Sequence, residues 1–256
     1  MTTRKQSAEK TVLITGGARR VGRAIVLDLA AHGFAVGIHY RNSRAEAERL
    51  AAEVSDEGGR AHLLQADLAD PTQARALMKE AAKALGPIRL LVNNASVFEQ
   101  DSVIDFDAEV WERHFALHVK TPAILAQEFA RALPEDREGL IVNMIDQRVW
   151  RPTPRYFSYT LSKAALWMAT RTMAQALAPR IRVNAIGPGA TLPDEGEADA
   201  SFRRQTEAIL LGHGPELPEF GATIRYLWET PSITGQMIAL DGGKHLTWND
   251  LSGDAS

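Results

Sequence analysis

The chain has 256 residues, enough for one substantial α/β core, and no Ser/Gly/Pro-rich linker or block of charge divides it. Its 29 Lys and Arg against 32 Asp and Glu give a formal charge of −3, which excludes a general attraction for nucleic-acid backbones or anionic membranes. Cysteine is absent, so disulfides and thiolate metal sites are excluded, no metal centre is expected, and a reducing cytoplasm is the simplest location.

In chain order, Met1–Lys10 is a polar tail without the apolar stretch of a secretory signal, and no later run reaches the ~20 apolar residues that span a bilayer. Short β-branched and aliphatic runs then alternate with longer segments of helical period. Strands are predicted at Thr11–Thr15, Ala35–His39, Ala61–Gln65, Leu90–Asn93, Leu140–Ile145, Arg182–Ala185 and Met237–Leu240, each short enough to be buried on both sides. Helices are predicted at Gly22–His32, Ala45–Asp56, Thr72–Leu85, Asp107–Leu133, Phe157–Ala178 and Pro218–Trp228. This order implies a single α/β domain over 11–246 with a doubly wound Rossmann fold, a parallel sheet of about seven strands with helices on both faces. Residues 247–256 form a polar C-terminal tail. Residues 191–214 break the rhythm with acidic and small residues around a helical pattern at Phe202–Leu211. That suits either a flap over the crevice at the carboxyl ends of the strands or an ordinary surface connection.

The first strand runs directly into Thr15-Gly16-Gly17-Ala18-Arg19-Arg20-Val21-Gly22 and then a helix, so glycines sit where a backbone must turn sharply and approach a ligand. Arg19, Arg20 and Arg23 crowd that helix start, where the macrodipole already supplies positive charge. A bound pyrophosphate reverses the sign of this crowding by turning N–H groups and guanidiniums into charge-assisted donors. At the end of the second strand an acidic side chain would hold an unmodified ribose. The sequence there reads His39-Tyr40-Arg41-Asn42-Ser43-Arg44, offering cations and neutral donors and no acid, which favours NADPH over NADH.

Tyr159 and Lys163 lie four apart on a predicted helix and share one face. A phenol starts near a pKa of ~10, and a neighbouring ammonium stabilises the phenolate, so Tyr159 suits a general acid beside Lys163. An isolated Tyr-x-x-x-Lys means little. This one follows the strand that ends at Asp146.

These features, with Asn93-Asn94-Ala95, Tyr159-Thr160-Leu161-Ser162-Lys163, Gly187-Pro188-Gly189 and Asp241-Gly242-Gly243 in order across nearly the whole chain, resemble the short-chain dehydrogenase/reductase family. The resemblance implies a cofactor set of Thr15, Gly16, Arg19, Arg20, Val21, Gly22, Tyr40, Arg41, Asn42, Ser43, Asp67, Leu68, Asn94, Ala95, Ser96, Met144, Tyr159, Lys163, Pro188 and Gly189. Within it, Asp67 meets the adenine and Pro188-Gly189 approaches the nicotinamide. Arg20, where most members carry the middle glycine of the turn, and Asp146, where most carry a serine, are similar to the pteridine reductase branch. In that branch the residue matching Phe98 stacks on the pterin. The implied catalytic residues are Asp146, Tyr159 and Lys163, and the implied substrate contacts are Arg20, Ser96, Phe98, Asp146, Tyr156 and Tyr159. Ser96, Phe98, Tyr156 and Trp150 suggest an aromatic and polar slot for a flat ring. Trp111, Trp167 and Trp228 read as core or subunit contacts. One departure is His118, where the family usually has an asparagine, and it leaves open a proton relay or simple helix packing. The family further implies a homotetramer packed through the two long helices.

Asp146 separates the possible substrates. An ionised carboxylate opposes the oxyanion of a ketone reduction by about 4 kcal/mol at ~4 Å and an effective dielectric of ~20. Reduction of a pterin C=N bond is instead assisted by protonating nitrogen, and the ring offers donors that a carboxylate accepts. The leading reading is an NADPH-dependent dihydropterin or dihydrofolate reductase. If Asp146 is held protonated, a carbonyl reductase of a ketoacyl or other small ketone returns. A non-catalytic NADP(H)-binding sensor is the reading from another class, and the intact Tyr159 and Lys163 argue against it.

Overall fold

Strand and helix alternate along the chain as the hydrophobic pattern dictates: β1 (Thr11–Ile14), α1 (Arg20–Ala31), β2 (Ala35–Tyr40), α2 (Arg44–Asp56), β3 (Arg60–Gln65), α3 (Pro71–Leu85), β4 (Leu90–Asn93), α4 (Ala108–Phe115), α5 (Thr121–Ala132), β5 (Gly139–Met144), α6 (Phe157–Leu177), β6 (Ile181–Pro188), α7 (Asp199–Glu207), α8 (Leu217–Glu229) and β7 (Met237–Leu240). The computed structural model describes residues 10–193 and 199–248. The two expected tails therefore lie almost wholly outside the described residues, as does 194–198 within the expected flap. Among the described residues, no helix is long and apolar enough to cross a membrane.

The strands are all parallel and form one sheet in the order β3-β2-β1-β4-β5-β6-β7. Period-two alternation sorts their side chains between two apolar layers. Val12, Ile14, Val92 and Val142 pack with α1, α2 and α8, whereas Leu13, Leu91, Ile141 and Val183 pack with α3, α5 and α6. β1 pairs with β2 on one side and β4 on the other, so the winding reverses there and a crevice opens at the carboxyl ends of β1 and β4.

Two expectations need correction. Burial on both faces fails at the sheet edge, where Arg60, His62 and Gln65 of β3 are exposed. Polar side chains on an edge strand stay in water and discourage pairing with another sheet. The single helix expected over Asp107–Leu133 is instead α4 and α5 joined by a π turn at Ala116–Lys120. Pro122 has no N–H for the carbonyl one turn back, and the Thr121 hydroxyl bonds the Ala116 carbonyl at 3.0 Å, so the helix widens there.

The starts of α3 and α6 are capped, whereas those of α1 and α2 have no side-chain cap. Asp70 accepts from Thr72 N at the start of α3, with Pro71 in the first turn. α6 has no side-chain cap of its own: its N-cap residue is Tyr156, left-handed with φ +59°, and a phenol is not a capping side chain. Asp101, in the loop after β4, takes the Ser158 N–H instead, at 3.0 and 3.2 Å.

Arg182 on β6 closes the other end of the sheet. It donates to the carbonyls of Leu227 (2.7 Å), Trp228 (3.1 Å), Thr230 (3.2 Å) and Ile233 (3.1 Å), at and beyond the negative end of α8. Arg182→Leu strands these carbonyls and is expected to cost about 2–4 kcal/mol, a fall of roughly 5–15 °C in Tm, checked by thermal unfolding under circular dichroism.

Candidate active site

The turn between β1 and α1 is built by close approach. Gly16 has φ +62°, and a Cβ on it would lie 3.0 Å from Ala95 Cα, while a Cβ on Gly22 would run into the Gly16 carbonyl. Arg20 also has a positive φ, +51°, which accounts for the glycine usual at that place. Thr15 holds the turn from beneath: its hydroxyl accepts from Asn94 N (2.9 Å) and Ala95 N (3.0 Å), and Asn94 Nδ2 donates back to the carbonyls of Thr15 (3.0 Å) and Gly16 (3.1 Å).

The expected crowding of three arginines is relieved in part. Arg23 pairs with Glu53 of α2, and Arg20 Nη2 donates to the Pro193 carbonyl at 3.0 Å. Arg19 and Arg20 both border the groove. His39 is not a surface cation either. It is 3 % exposed, accepts from Gly16 N at Nδ1 (3.0 Å) and meets the Ala66 carbonyl through Nε2 (3.1 Å), and burial lowers its pKa to about 4.

A groove of about 860 Å³ runs along this edge. Its wall brings together Gly16, Arg19, Arg20, Val21, Gly22, Tyr40, Arg41, Asn42, Ser43, Asp67, Leu68, Asn94, Ala95 and Ser96 with Phe98 and Tyr156. A smaller pocket of about 500 Å³ adjoins it between Arg41, Asn42, Gln65, Asp67 and Gln73. Thr15, Met144, Asp146, Tyr159, Lys163, Pro188 and Gly189 are not part of the groove wall. The Met144 carbonyl is taken by Lys163, and Gly189 N donates to the Leu240 carbonyl at 2.7 Å.

Behind the aromatic end of the groove, α6 meets the end of β5. Tyr159 Oη donates to Asp146 Oδ2 at 3.0 Å, and Asp146 Oδ1 accepts from Arg148 N at 2.7 Å. Lys163, one turn further along, is 3 % exposed, donates to the Met144 carbonyl at 2.9 Å and lies 5.6 Å from the centre of the Tyr159 ring. Desolvation raises the Asp146 carboxyl above its ordinary range, outweighing the Arg148 N–H and the charges of Arg148 and Lys163. Burial lowers the Lys163 amine to about 8, while the charge of Asp146 pulls it upward. An acid, a phenol and an amine are thus brought together, the phenol and the amine buried and the acid half-buried.

The expected flat slot takes a different shape. Phe98 and Tyr156 stack directly on one another at 4.2 Å and 12°, and Phe98 meets the Tyr159 ring edge-on at 4.7 Å. No third ring fits between planes so close, since each layer itself needs about 3.5 Å. Only the outer faces of this stack are open to a further ring. Trp150 is elsewhere, against His245 at 5.0 Å. Trp228 packs on Phe34, and Trp111 stacks on Phe115. Sequence reasoning missed Arg148, whose guanidinium lies 4.9 Å from the Tyr156 ring centre, and Arg113, which pairs with Glu99 beside the groove. It also missed the role of His114, which bonds Glu99 N and Ser158. The one available signal was the repeated histidine one turn apart.

Residues 10–202 match the family model described as short chain dehydrogenase. A short-chain type dehydrogenase/reductase of Picea abies is 30 % identical over 92 % of this chain and 92 % of its own length. The 3-oxoacyl-[acyl-carrier-protein] reductase FabG of Staphylococcus aureus is 28 % identical over 93 % of this chain and 98 % of its own length. Among solved structures, FolM alternative dihydrofolate reductase 1 of Brucella suis, in complex with NADP, is 59 % identical with a TM-score of 0.92, covering 95 % of this chain and 98 % of that one.

The buried His39 makes the turn sensitive to acid. Between about 4 and the ordinary 6.5 the unfolded chain binds a proton that the folded chain refuses, so stability is full above pH 6.5 and falls as the pH drops toward 4. The full difference is about 3 kcal/mol, and His39→Asn is expected to reduce the pH dependence of stability between pH 7 and 5 by up to about one proton, read from urea unfolding at each pH. An unaltered slope contradicts a neutral His39.

Proposed function

The chain belongs to the short-chain dehydrogenase family, and on that premise we propose that it is an NADPH-dependent oxidoreductase that reduces the C=N bond of a dihydropterin or dihydrofolate. The observation that carries the substrate class is the Asp146 carboxyl hydrogen-bonded to Tyr159 at 3.0 Å, where a ketone reductase of this family places a serine. The 59 % identity to a dihydrofolate reductase crystallised with NADP supports the same reading.

The groove suits the cofactor. The tight Gly16–Gly22 turn, in which a Cβ would run into protein atoms, lays bare backbone along the groove, α1 begins there, and Arg19 and Arg20 stand at its edge. Arg41, Asn42 and Ser43 at the end of β2 supply a cation and neutral donors for the 2′-phosphate, and Asp67 and Leu68 flank the adenine position. When bound, the reduced nicotinamide supplies hydride.

Tyr159 is the general acid that gives its proton to the substrate nitrogen. Lys163, oriented by Met144, supports the phenolate left behind and holds the ribose. Asp146 accepts from the amino and N–H donors of the heterocycle and orients Tyr159 through their shared hydrogen bond. No oxyanion forms in this reaction, so the carboxylate that would oppose ketone reduction is tolerated. Phe98, backed by Tyr156, offers a flat face beside Ser96 and Arg20. The Arg20 bond to Pro193 supports a flap role for 191–214. Exposed Leu161 and Met168 on α6 support assembly into a homotetramer through the long helices.

The raised Asp146 carboxyl favours one second reading: a protonated Asp146 removes the repulsion and admits small ketones. A substrate panel decides between them. Consumption of NADPH with dihydrobiopterin or dihydrofolate but not with acetoacetyl thioesters is expected, and the reverse pattern overturns the proposal. Asp146→Ser is expected to lower dihydropterin kcat/KM by roughly 10–100-fold in the same assay. Arg41→Asp places an acid beside the 2′-phosphate and is expected to weaken NADPH by about tenfold or more while sparing NADH, read by tryptophan fluorescence titration.

A further inference from the structure

Two histidines one turn apart, His114 on α4 and His118 in the π turn, face two serines one turn apart on α6, Ser158 and Ser162, and the serines flank Tyr159. His118 Nδ1 meets Ser162 Oγ at 2.8 Å, and His114 Nδ1 meets Ser158 Oγ at 2.7 Å. On their far sides both rings reach the loop after β4. Val97 N donates to His118 Nε2 at 3.2 Å, with Ser96 Oγ at 2.9 Å, and Glu99 N donates to His114 Nε2 at 3.3 Å.

The direction of these bonds is set by chemistry. A backbone N–H only donates, so each Nε2 must be a bare acceptor and each Nδ1 must carry the ring proton and donate to its serine. Ser162 is consistent with this, because its own hydroxyl donates to the Tyr159 carbonyl at 2.7 Å and so accepts from His118. One continuous run of hydrogen bonds therefore links Val97, His118, Ser162 and the main chain of Tyr159.

We propose that His114 and His118 are positioning residues, neutral and protonated on Nδ1, that clamp the 96–101 loop, and with it Ser96 and Phe98, to the serines on either side of Tyr159. The role of Ser96 and Phe98 toward a flat substrate rests on the reading given under Proposed function; the clamp itself does not. Both rings are fully or nearly buried, at 0 % and 1 % exposure, and both stand edge-on to the Tyr159 ring at 5.7 and 5.5 Å. Glu99 and Asp101 of the loop, Arg113 of α4 and Lys163 of α6 face His114, and Lys163 faces His118. Burial lowers both histidines, with Lys163 adding to it, so the neutral form that the clamp needs prevails at neutral pH. Protonation would place an N–H against each loop N–H and break both rungs. Asp101, capping α6 through Ser158 N, fastens the far end of the same loop.

Three measurements test this on the full chain. Histidine 15N NMR of the wild type at pH 7 is expected to show His114 and His118 as Nδ1–H tautomers; an Nε2–H or cationic form for either overturns the clamp. In the Ser158→Ala/Ser162→Ala double variant, amide exchange across 96–101 without substrate is expected to rise about tenfold, equivalent to about 1.4 kcal/mol of lost protection. With NADPH, the same variant is expected to show KM for dihydrobiopterin raised about tenfold and kcat and the KM for NADPH within about twofold. Raised exchange in a protein whose wild type turns over no dihydropterin upholds the clamp and removes the substrate reading. Unchanged exchange, or a loss in kcat alone, removes the clamp and leaves the substrate reading standing.

Discussion

The junction of α6 with the end of β5 rests on two hydrogen bonds, Lys163 to the Met144 carbonyl and Tyr159 to Asp146. They stand one helical turn apart, so together they fix both the height and the rotation of α6 over the sheet. A protonated amine and a phenol taken out of water must find such partners or lose several kcal/mol. The helix that carries them starts at a left-handed Tyr156 and takes Asp101 as its external cap. The same desolvation lowers Lys163 and raises Asp146, bringing both groups closer to the pH at which protons exchange.

Much of the fold was legible because aliphatic periodicity is a local signal. β4 and β7 fall on their predicted bounds, and the other strands differ by a few residues at one or both ends. The exposed edge of β3 was not legible from burial logic, since period alone does not say which strand has a single neighbour. The π turn escaped for a related reason: Pro122 signals a disturbance, but widening rather than breaking depends on Thr121 finding the Ala116 carbonyl.

At the candidate site, the spacing of Tyr159 and Lys163 and the glycines of the first turn were legible, because a helix face and a tight turn each impose residue types at fixed intervals. His39, His114, His118 and Asp101 act through loop and helix N–H groups or serines far away in sequence, and such pairs leave no period to read. His114 lies 15 residues from Glu99 and 44 from Ser158, and Asp101 lies 57 from Ser158. His39 shows the hazard most plainly. A polar run at a strand end reads as ligand-facing, yet this side chain turns inward to serve the backbone of Gly16.

The direct stack of Phe98 on Tyr156 has a consequence for affinity. An aromatic side chain that swings freely until a ligand arrives loses rotational freedom on binding, a cost of about 0.5–1.5 kcal/mol for each side chain immobilised. Here Phe98 is already held flat by Tyr156 and edge-on by Tyr159, although 38 % of it still faces solvent. The ordering is completed during folding, so a planar guest of the kind proposed would gain dispersion and displaced water against a surface that need not rearrange.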